Sequence, residues 1–191
     1  MIISISGNQG SGKSTIAKRL AHELGWPRHY MGGLRREAAK KRGLTLAEYN
    51  ALGESDPNTD LEVDRYQEEL GKKEDDFVIE GRTSWHFIPH SFKIFIYVDD
   101  TIGARRIFDE LQQKDNSMRQ SEDRFETYEE VLESIRRRHD SDDRRYRQFF
   151  GICVYDPANY DFYLDTSKLD REQAYAAVWA AVQAQIDKEK K

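Results

Sequence analysis

Eight residues near the start of the chain, Gly7-Asn8-Gln9-Gly10-Ser11-Gly12-Lys13-Ser14, fit the pattern G-x-x-x-x-G-K-[ST] with no mismatch. The pattern constrains the fold because it works only where a strand turns into a helix. Ahead of it, Ile2-Ile3-Ser4-Ile5 reads as a short buried strand rich in β-branched residues. Behind it, Ile16, Ala17, Leu20, Ala21 and Leu24 recur at helical spacing until Gly25 stops the run. Gly7 and Gly12 carry no Cβ, so the backbone can curl and aim successive N–H groups at a polyphosphate. The helix N-terminus adds unpaired N–H groups and a positive dipole end at the same place. Gly7 to Ser14, with Thr15, are therefore the expected holders of a nucleoside triphosphate. In that reading Lys13 reaches the β- and γ-phosphates and the Ser14 hydroxyl ligates Mg²⁺.

A chain of 191 residues is expected to form one domain with a real core. Its net charge of −5 argues against nucleic acid as a bulk partner, since polyanion binding rests on a basic surface. Neither a signal peptide nor a membrane-spanning run is expected. Cys153 is the single cysteine, so it forms no internal disulfide and no CxxC metal pair, which fits a cytoplasmic, reducing setting.

Four further apolar runs read as strands, Arg28–Met31, Phe77–Ile79, Lys93–Val98 and Phe162–Leu164. Helical patterns over 13–24, 34–42, 45–53, 60–73, 101–113, 122–149 and 170–187 alternate with them, as in a parallel α/β sheet. The stretch from Gln112 to Arg124 holds no apolar stripe and is expected to be a mobile loop or an exposed helix.

Three polar clusters lie outside the loop. Phe77-Val78-Ile79-Glu80-Gly81-Arg82 is a strand ending in a carboxylate and an arginine. Ligands of open parallel sheets bind beyond the carboxyl ends of the strands. Glu80 is thus placed to hold Mg²⁺, directly or through water, and Arg82 to meet an anion, unless the two form only a surface ion pair. In Tyr30-Met31-Gly32-Gly33-Leu34-Arg35-Arg36, Arg36 can serve as a phosphate clamp, with Arg35 on a solvated face. Between Arg136 and Arg147 stand six arginines, and Arg138, Asp142 and Arg145 share one helical face by their i, i+4, i+7 spacing. Spacing leaves two readings open, a salt-bridged solvent helix or a lid whose arginines close over phosphates.

In order along the chain, GNQGSGKSTIAKRLAHELG, MGGLRREAAKKRGLTLAEYN, DPNTDLEVD, VIEGR, KIFIYV and RRRHDSDDRRYRQFFGI together resemble the cytidylate kinase family in its compact form. The first motif is shared by many nucleotide-binding families; the ordered combination is more specific. The resemblance runs from Ile2 to about Leu164. It implies a three-layer α/β/α P-loop kinase fold with a five-stranded parallel sheet. It divides the domain into a core (1–31, 74–111 and 150–191), a helical acceptor-binding insertion (about 32–73) and a helical lid (about 112–149). It further implies that Lys13 and Ser14 serve ATP and Mg²⁺, and that Arg36 and Arg82 grip the acceptor monophosphate. Arg138 would bridge donor and acceptor phosphates, while Asp142 and Arg145 would contact the nucleoside part. The implied reaction moves the γ-phosphoryl group of ATP onto CMP or dCMP. The expected partners are ATP and a nucleoside monophosphate, with no nucleic acid, no membrane and a monomeric state. The chain departs from the family pattern at Arg35, where an aromatic residue is usual, and at Tyr30, where Ser or Thr is common. Its segment 112–134 is also longer.

Adenylate, UMP or a small metabolite such as shikimate remains as an alternative acceptor, and the arginine set favours one that carries phosphate. A GTPase would need a base-reading N-K-x-D and a D-x-x-G switch element, and neither is expected in this chain. A non-catalytic ATP-binding module would be expected to lack Lys13 or the lid arginines. The five histidines show no metal-ligand spacing. Trp26, Trp85 and Trp179 read as packing anchors, and Tyr146, Phe149 and Phe150 as residues that dock the lid helix.

Overall fold

A computed structural model describes residues 1–56, 58–112 and 125–190. Ile2–Gly7 (β1) is buried along its whole length, as a strand covered on both faces must be. It pairs in parallel with Phe77–Glu80 (β3) on one side and Phe92–Tyr97 (β4) on the other. Arg28–Tyr30 (β2) and Phe162–Asp165 (β5) complete a five-stranded parallel sheet of order β2-β3-β1-β4-β5.

The alternation of β1 distributes its side chains to two cores. Ile3 and Ile5 meet Ile16, Leu20 and Ala21 of Lys13–Leu24 (α1) and Val178 and Val182 of Arg171–Glu189 (α8). On the opposite face, Ile2, Phe77 and Ile79 pack against Met31 of Met31–Lys41 (α2) and Leu70 of Asn58–Lys73 (α4). Each buried Val, Leu, Ile, Met or Phe side chain among these contributes about 1.5–3 kcal/mol. A third cluster joins Asp100–Gln112 (α6) to Tyr128–Phe150 (α7) through Ala104, Ile107, Val131 and Ile135. Helix, sheet and helix thus form three layers.

Leu46–Gly53 (α3) packs on α2, α4 and α7, and so joins the helices after β2 to the arginine-rich helix. A capping box starts α3 at Thr45 and another starts α7 at Thr127, each with a glutamate three residues on. Asp142, Arg145 and Tyr146 of α7 face inward, whereas Arg136, Arg137, Arg144 and Arg147 are exposed. Tyr146 is buried, and Phe150 meets the Phe87 ring edge-on at 5.5 Å, which docks the end of α7 on Ser84–Phe87 (α5).

Several boundaries differ from the sequence reading. β2 stops at Tyr30, and α2 begins at Met31 rather than at residue 34, because Gly32 and Gly33 lie within the helix beneath the Tyr30 ring. The short α5 was not expected. α7 begins at Tyr128; the part of the expected 122–149 helix before residue 125, and the polar stretch 113–124, lie outside the described residues. Among the described residues no helix is long and apolar enough to cross a membrane.

Candidate phosphoryl-transfer site

β1, β3 and β4 end on one edge of the sheet, and the candidate residues gather there. Gly12 has φ 84° with open space where a Cβ would stand, so its requirement is conformational alone. Gly10 is crowded instead: a Cβ there would lie 2.6 Å from Gly103 Cα in α6. Asn8 turns its side chain inward, donating to the Val98 carbonyl (2.6 Å) and accepting from the Val98 N–H (3.0 Å). This amide pins the loop to the end of β4. Ser11 Oγ donates to the Asn8 carbonyl (2.8 Å), and Lys13 Nζ folds back to the same oxygen (3.3 Å). No side chain caps α1 and no acid lies in its first turn, so the positive end of its dipole faces the loop uncompensated. Thr15 is exposed beside it.

Ser14 Oγ donates to Glu80 Oε1, and Arg28 Nη2 donates to Glu80 Oε2 at 2.6 Å. Glu80 is 1% exposed, so its charge rests on these two neighbours. The structure brings Ser14 and Glu80, the two expected Mg²⁺ holders, into contact and adds Arg28, which the sequence reading placed only as a strand residue. The hydroxyl–carboxylate pair is the all-oxygen chemistry a hard divalent cation takes.

Arg82 Nε lies 2.7 Å from Asp142 Oδ2, and Arg145 Nη2 donates to Asp142 Oδ1 at 3.0 Å. The Tyr155 hydroxyl donates to Asp142 at 3.2 Å. Burial would raise the Asp142 carboxyl, yet Arg82, Arg145, Arg138 and Arg35 together hold it below the ordinary aspartate value. The Arg82 guanidinium is pushed up; burial opposes its charge, and Asp142 more than offsets that. With its amide oxygen turned toward the arginines, Gln9 accepts from Arg82 Nη2 (2.9 Å) and Arg138 Nε (3.3 Å) and donates to His139 Nε2 (2.9 Å). The phosphate loop, the end of β3 and the arginine-rich helix meet at this one amide.

Arg35 corrects the sequence reading. Placed there on a solvated face, it is 9% exposed, donates from Nε to Asn50 Oδ1 (2.8 Å) and lies 5.1 Å from the centre of the Tyr49 ring. Burial, with Arg145 close by, lowers its guanidinium to about 10. Arg36 donates to the Tyr30 hydroxyl and to the Gly32 carbonyl (3.3 Å). The reason is packing: about 100° apart on α2, Arg35 faces α3 and α7, and Arg36 faces β2.

Arg35 and Arg145 lie beside Gly53, where a Cβ would come within 3.2 and 3.3 Å of their terminal nitrogens. Close to both stands Asp64, another residue the sequence reading left without a role. It is 8% exposed, Oδ1 accepts weakly from Gln67 Nε2 (3.4 Å), and Oδ2 has no hydrogen-bond partner among the described residues. Burial raises its carboxyl to about 7, against the pull of Arg35 and Arg145. The signal in the sequence was the acidic stretch ending at Asp64; nothing there said that the last carboxylate turns inward. Arg106, also unremarked before, ties Gly10 to the loop after β5 by donating to the Gly10 carbonyl (3.5 Å) and the Thr166 carbonyl (2.8 Å).

Contrary to the sequence reading, a D-x-x-G does occur, Asp100-Thr101-Ile102-Gly103, but it forms the first turn of α6, with Gly103 packed against the Gln9 carbonyl, and not a switch loop. Trp85 is 8% exposed and packs on Tyr160 at 5.6 Å, as a packing anchor does. Among the described residues no group of three His, Cys, Asp or Glu is placed to hold a metal ion.

Two solved structures share this fold: an uncharacterized protein from Eubacterium ventriosum (TM-score 0.69, 18% identity, 96% of this chain and 98% of the other) and a shikimate kinase from Bacteroides thetaiotaomicron (TM-score 0.61, 17% identity, 98% of both). A protein of Methanothermobacter thermautotrophicus named cytidylate kinase is 35% identical over 172 residues, 90% of this chain and 99% of its own length. Another of that name, from Natronomonas pharaonis, is 36% identical over 186 residues, covering 96% of this chain and 90% of its own. Residues 2–168 match the family described as cytidylate kinase-like, and with the relatives' coverage this shows that the chain belongs to that family.

Proposed function

We propose that the protein transfers the γ-phosphoryl group of ATP to CMP or dCMP, giving ADP and the corresponding diphosphate. The observation that carries this reading is the meeting of Arg82, Arg138 and the phosphate loop at Gln9. Two guanidinium groups from different elements converge where an anion on the loop would meet a second anion. Both reactants are phosphates, and bringing them together requires fixed positive charge.

ATP lies along Gly7–Ser14 with its phosphates over the α1 N-terminus, where Lys13 meets the β- and γ-phosphates. Ser14 and Glu80 hold Mg²⁺, which supplies charge neutralisation along the triphosphate when bound. Arg36 and Arg82 grip the acceptor phosphate, and Arg138 spans both phosphate groups. An acceptor oxygen, already anionic, forms the new bond to Pγ while the bond from Pγ to the β–γ bridging oxygen breaks and leaves with ADP. No strong general base is required, and water kept out by α7 cannot compete as the nucleophile.

Arg35, Arg145 and Asp64, buried close together, are the groups that would meet the base, with Asp142 bracing Arg145. Cytosine offers a 4-amino donor and acceptors at N3 and O2. A carboxylate beside guanidinium donors is complementary to that set. Uracil presents an acceptor at O4, against which an ionised Asp64 is mismatched.

A coupled ADP-release assay with ATP against CMP, dCMP, UMP, AMP and shikimate tests this. Turnover of CMP and dCMP is expected, with Lys13→Ala lowering kcat/KM by about a hundredfold or more. A panel that yields no ADP above the ATP-only rate refutes the reading, and a preference for AMP or shikimate replaces the acceptor.

A further inference from the structure

Tyr30 ends β2 directly beside two of the site's arginines, Arg28 and Arg36. Its hydroxyl accepts from Arg36 Nη1, the nitrogen that also reaches the Gly32 carbonyl at 3.3 Å. Its ring centre lies 5.6 Å from the Arg36 guanidinium carbon and 5.1 Å from that of Arg28, whose Nη2 holds Glu80. The ring has a bed made for it: a Cβ on Gly32 would stand 2.8 Å from Tyr30 Cε2 and 3.0 Å from its hydroxyl oxygen. One on Gly33 would stand 3.0 Å from Cδ1. Two consecutive helical glycines cost α2 propensity, about 1 kcal/mol each relative to alanine. Here they admit the ring.

The consequence concerns Arg36. A long, flexible side chain loses rotamer freedom whenever it is fixed on a phosphate. A neighbour that holds it beforehand removes part of that cost at the moment of binding. We propose that Tyr30 is a positioning residue for the acceptor phosphate: its hydroxyl and ring fix the Arg36 guanidinium in the orientation that meets CMP. The proposal rests on the reading of Arg36 as an acceptor clamp. It assigns Tyr30 no contact with ATP.

Calorimetric titration of CMP into the full-length protein, with steady-state kinetics alongside, provides the test. Tyr30→Phe removes the hydroxyl alone and is expected to raise the CMP Kd and KM about fivefold, the worth of one hydrogen bond, with the ATP KM unchanged. Tyr30→Leu also removes the aromatic face and is expected to raise them about twentyfold. Gly32→Ala displaces the ring and should weaken CMP to a similar degree in the wild-type background, and add nothing in Tyr30→Leu. In the Arg36→Ala background the effect of Tyr30→Phe should vanish, since no guanidinium remains to be held. Thermal melts identify any variant that is merely unfolded, and Tyr30→Phe, the mildest change, then decides.

An unchanged CMP Kd in Tyr30→Phe overturns the proposal while leaving the kinase reading intact. So does a loss that persists undiminished without Arg36, or an equal loss for ATP. A wild-type protein that binds no CMP removes the underlying reading instead.

Discussion

In the proposed reading, Asp64 sets base choice and stability at once. Its carboxyl is raised to about 7, and the groups facing it are Arg35 and Arg145, with Glu68 on its own helix. An acid raised in the folded state binds its proton more tightly there than when unfolded. Its contribution to stability is therefore present at low pH and is lost as pH rises from about 4 through about 7. Protonated, it can donate to uracil O4; ionised, it can only accept, as from the cytosine 4-amino group. The ratio of kcat/KM for CMP over UMP is thus expected to rise between pH 6 and pH 8. Asp64→Asn should flatten that profile, lower the ratio about tenfold or more, and melt higher than wild type at pH 8. A ratio independent of pH in the wild type removes Asp64 from base selection.

At the scale of elements, α7 carries most of the arginine cluster, and its two ends do different work. Val131 and Ile135 bind its first half to α6, while Arg138, Asp142 and Arg145 bring its second half to the site. The capping box at Thr127 lies about three turns from Arg138. Thr127→Ala is expected to cost about 1 kcal/mol of stability and to speed amide exchange over residues 128–132, with kcat and both KM values unchanged. A large fall in kcat from this change would mean that the N-terminal half of α7 takes part in closure. The period of the sequence placed Arg138, Asp142 and Arg145 on one face correctly. Of the two readings left open for this helix, it could not choose, because spacing reveals which residues share a face and not what lies across from it. The same limit applies to Arg35, whose neighbours Tyr49 and Arg145 come from other helices.

For the whole molecule, Asp142 is one of the points through which α7 is held over the sheet edge. It pairs with Arg82 after β3, while Glu54 at the end of α3 accepts from Ser141 (2.5 Å) and Arg144 (3.3 Å) on the same helix. A carboxyl depressed below the ordinary 3.8 contributes stability that is present above that value and is lost as pH falls through its lower folded-state value. Asp142→Asn leaves buried guanidinium charge without its counter-ion. It is expected to lower the melting temperature at pH 7 by about 10 °C, from about 3 kcal/mol at 2–4 °C per kcal/mol. The gap between the two proteins should narrow below pH 4, where the unfolded wild type becomes protonated; a gap constant with pH would show that the loss is one of packing, not charge.

The amino-acid sequence by itself determined the glycine loop, the five strands and the longer helices between them, and the family, because glycine spacing and apolar period are local properties of a chain. Closeness between distant segments is not local, and tertiary structure alone decided that Arg28 meets Glu80, that Gln9 joins Arg82 to Arg138, and that Arg35 and Asp64 are buried together. Those contacts arise when five parallel strands bring their carboxyl ends to one edge and the helices between them converge over it.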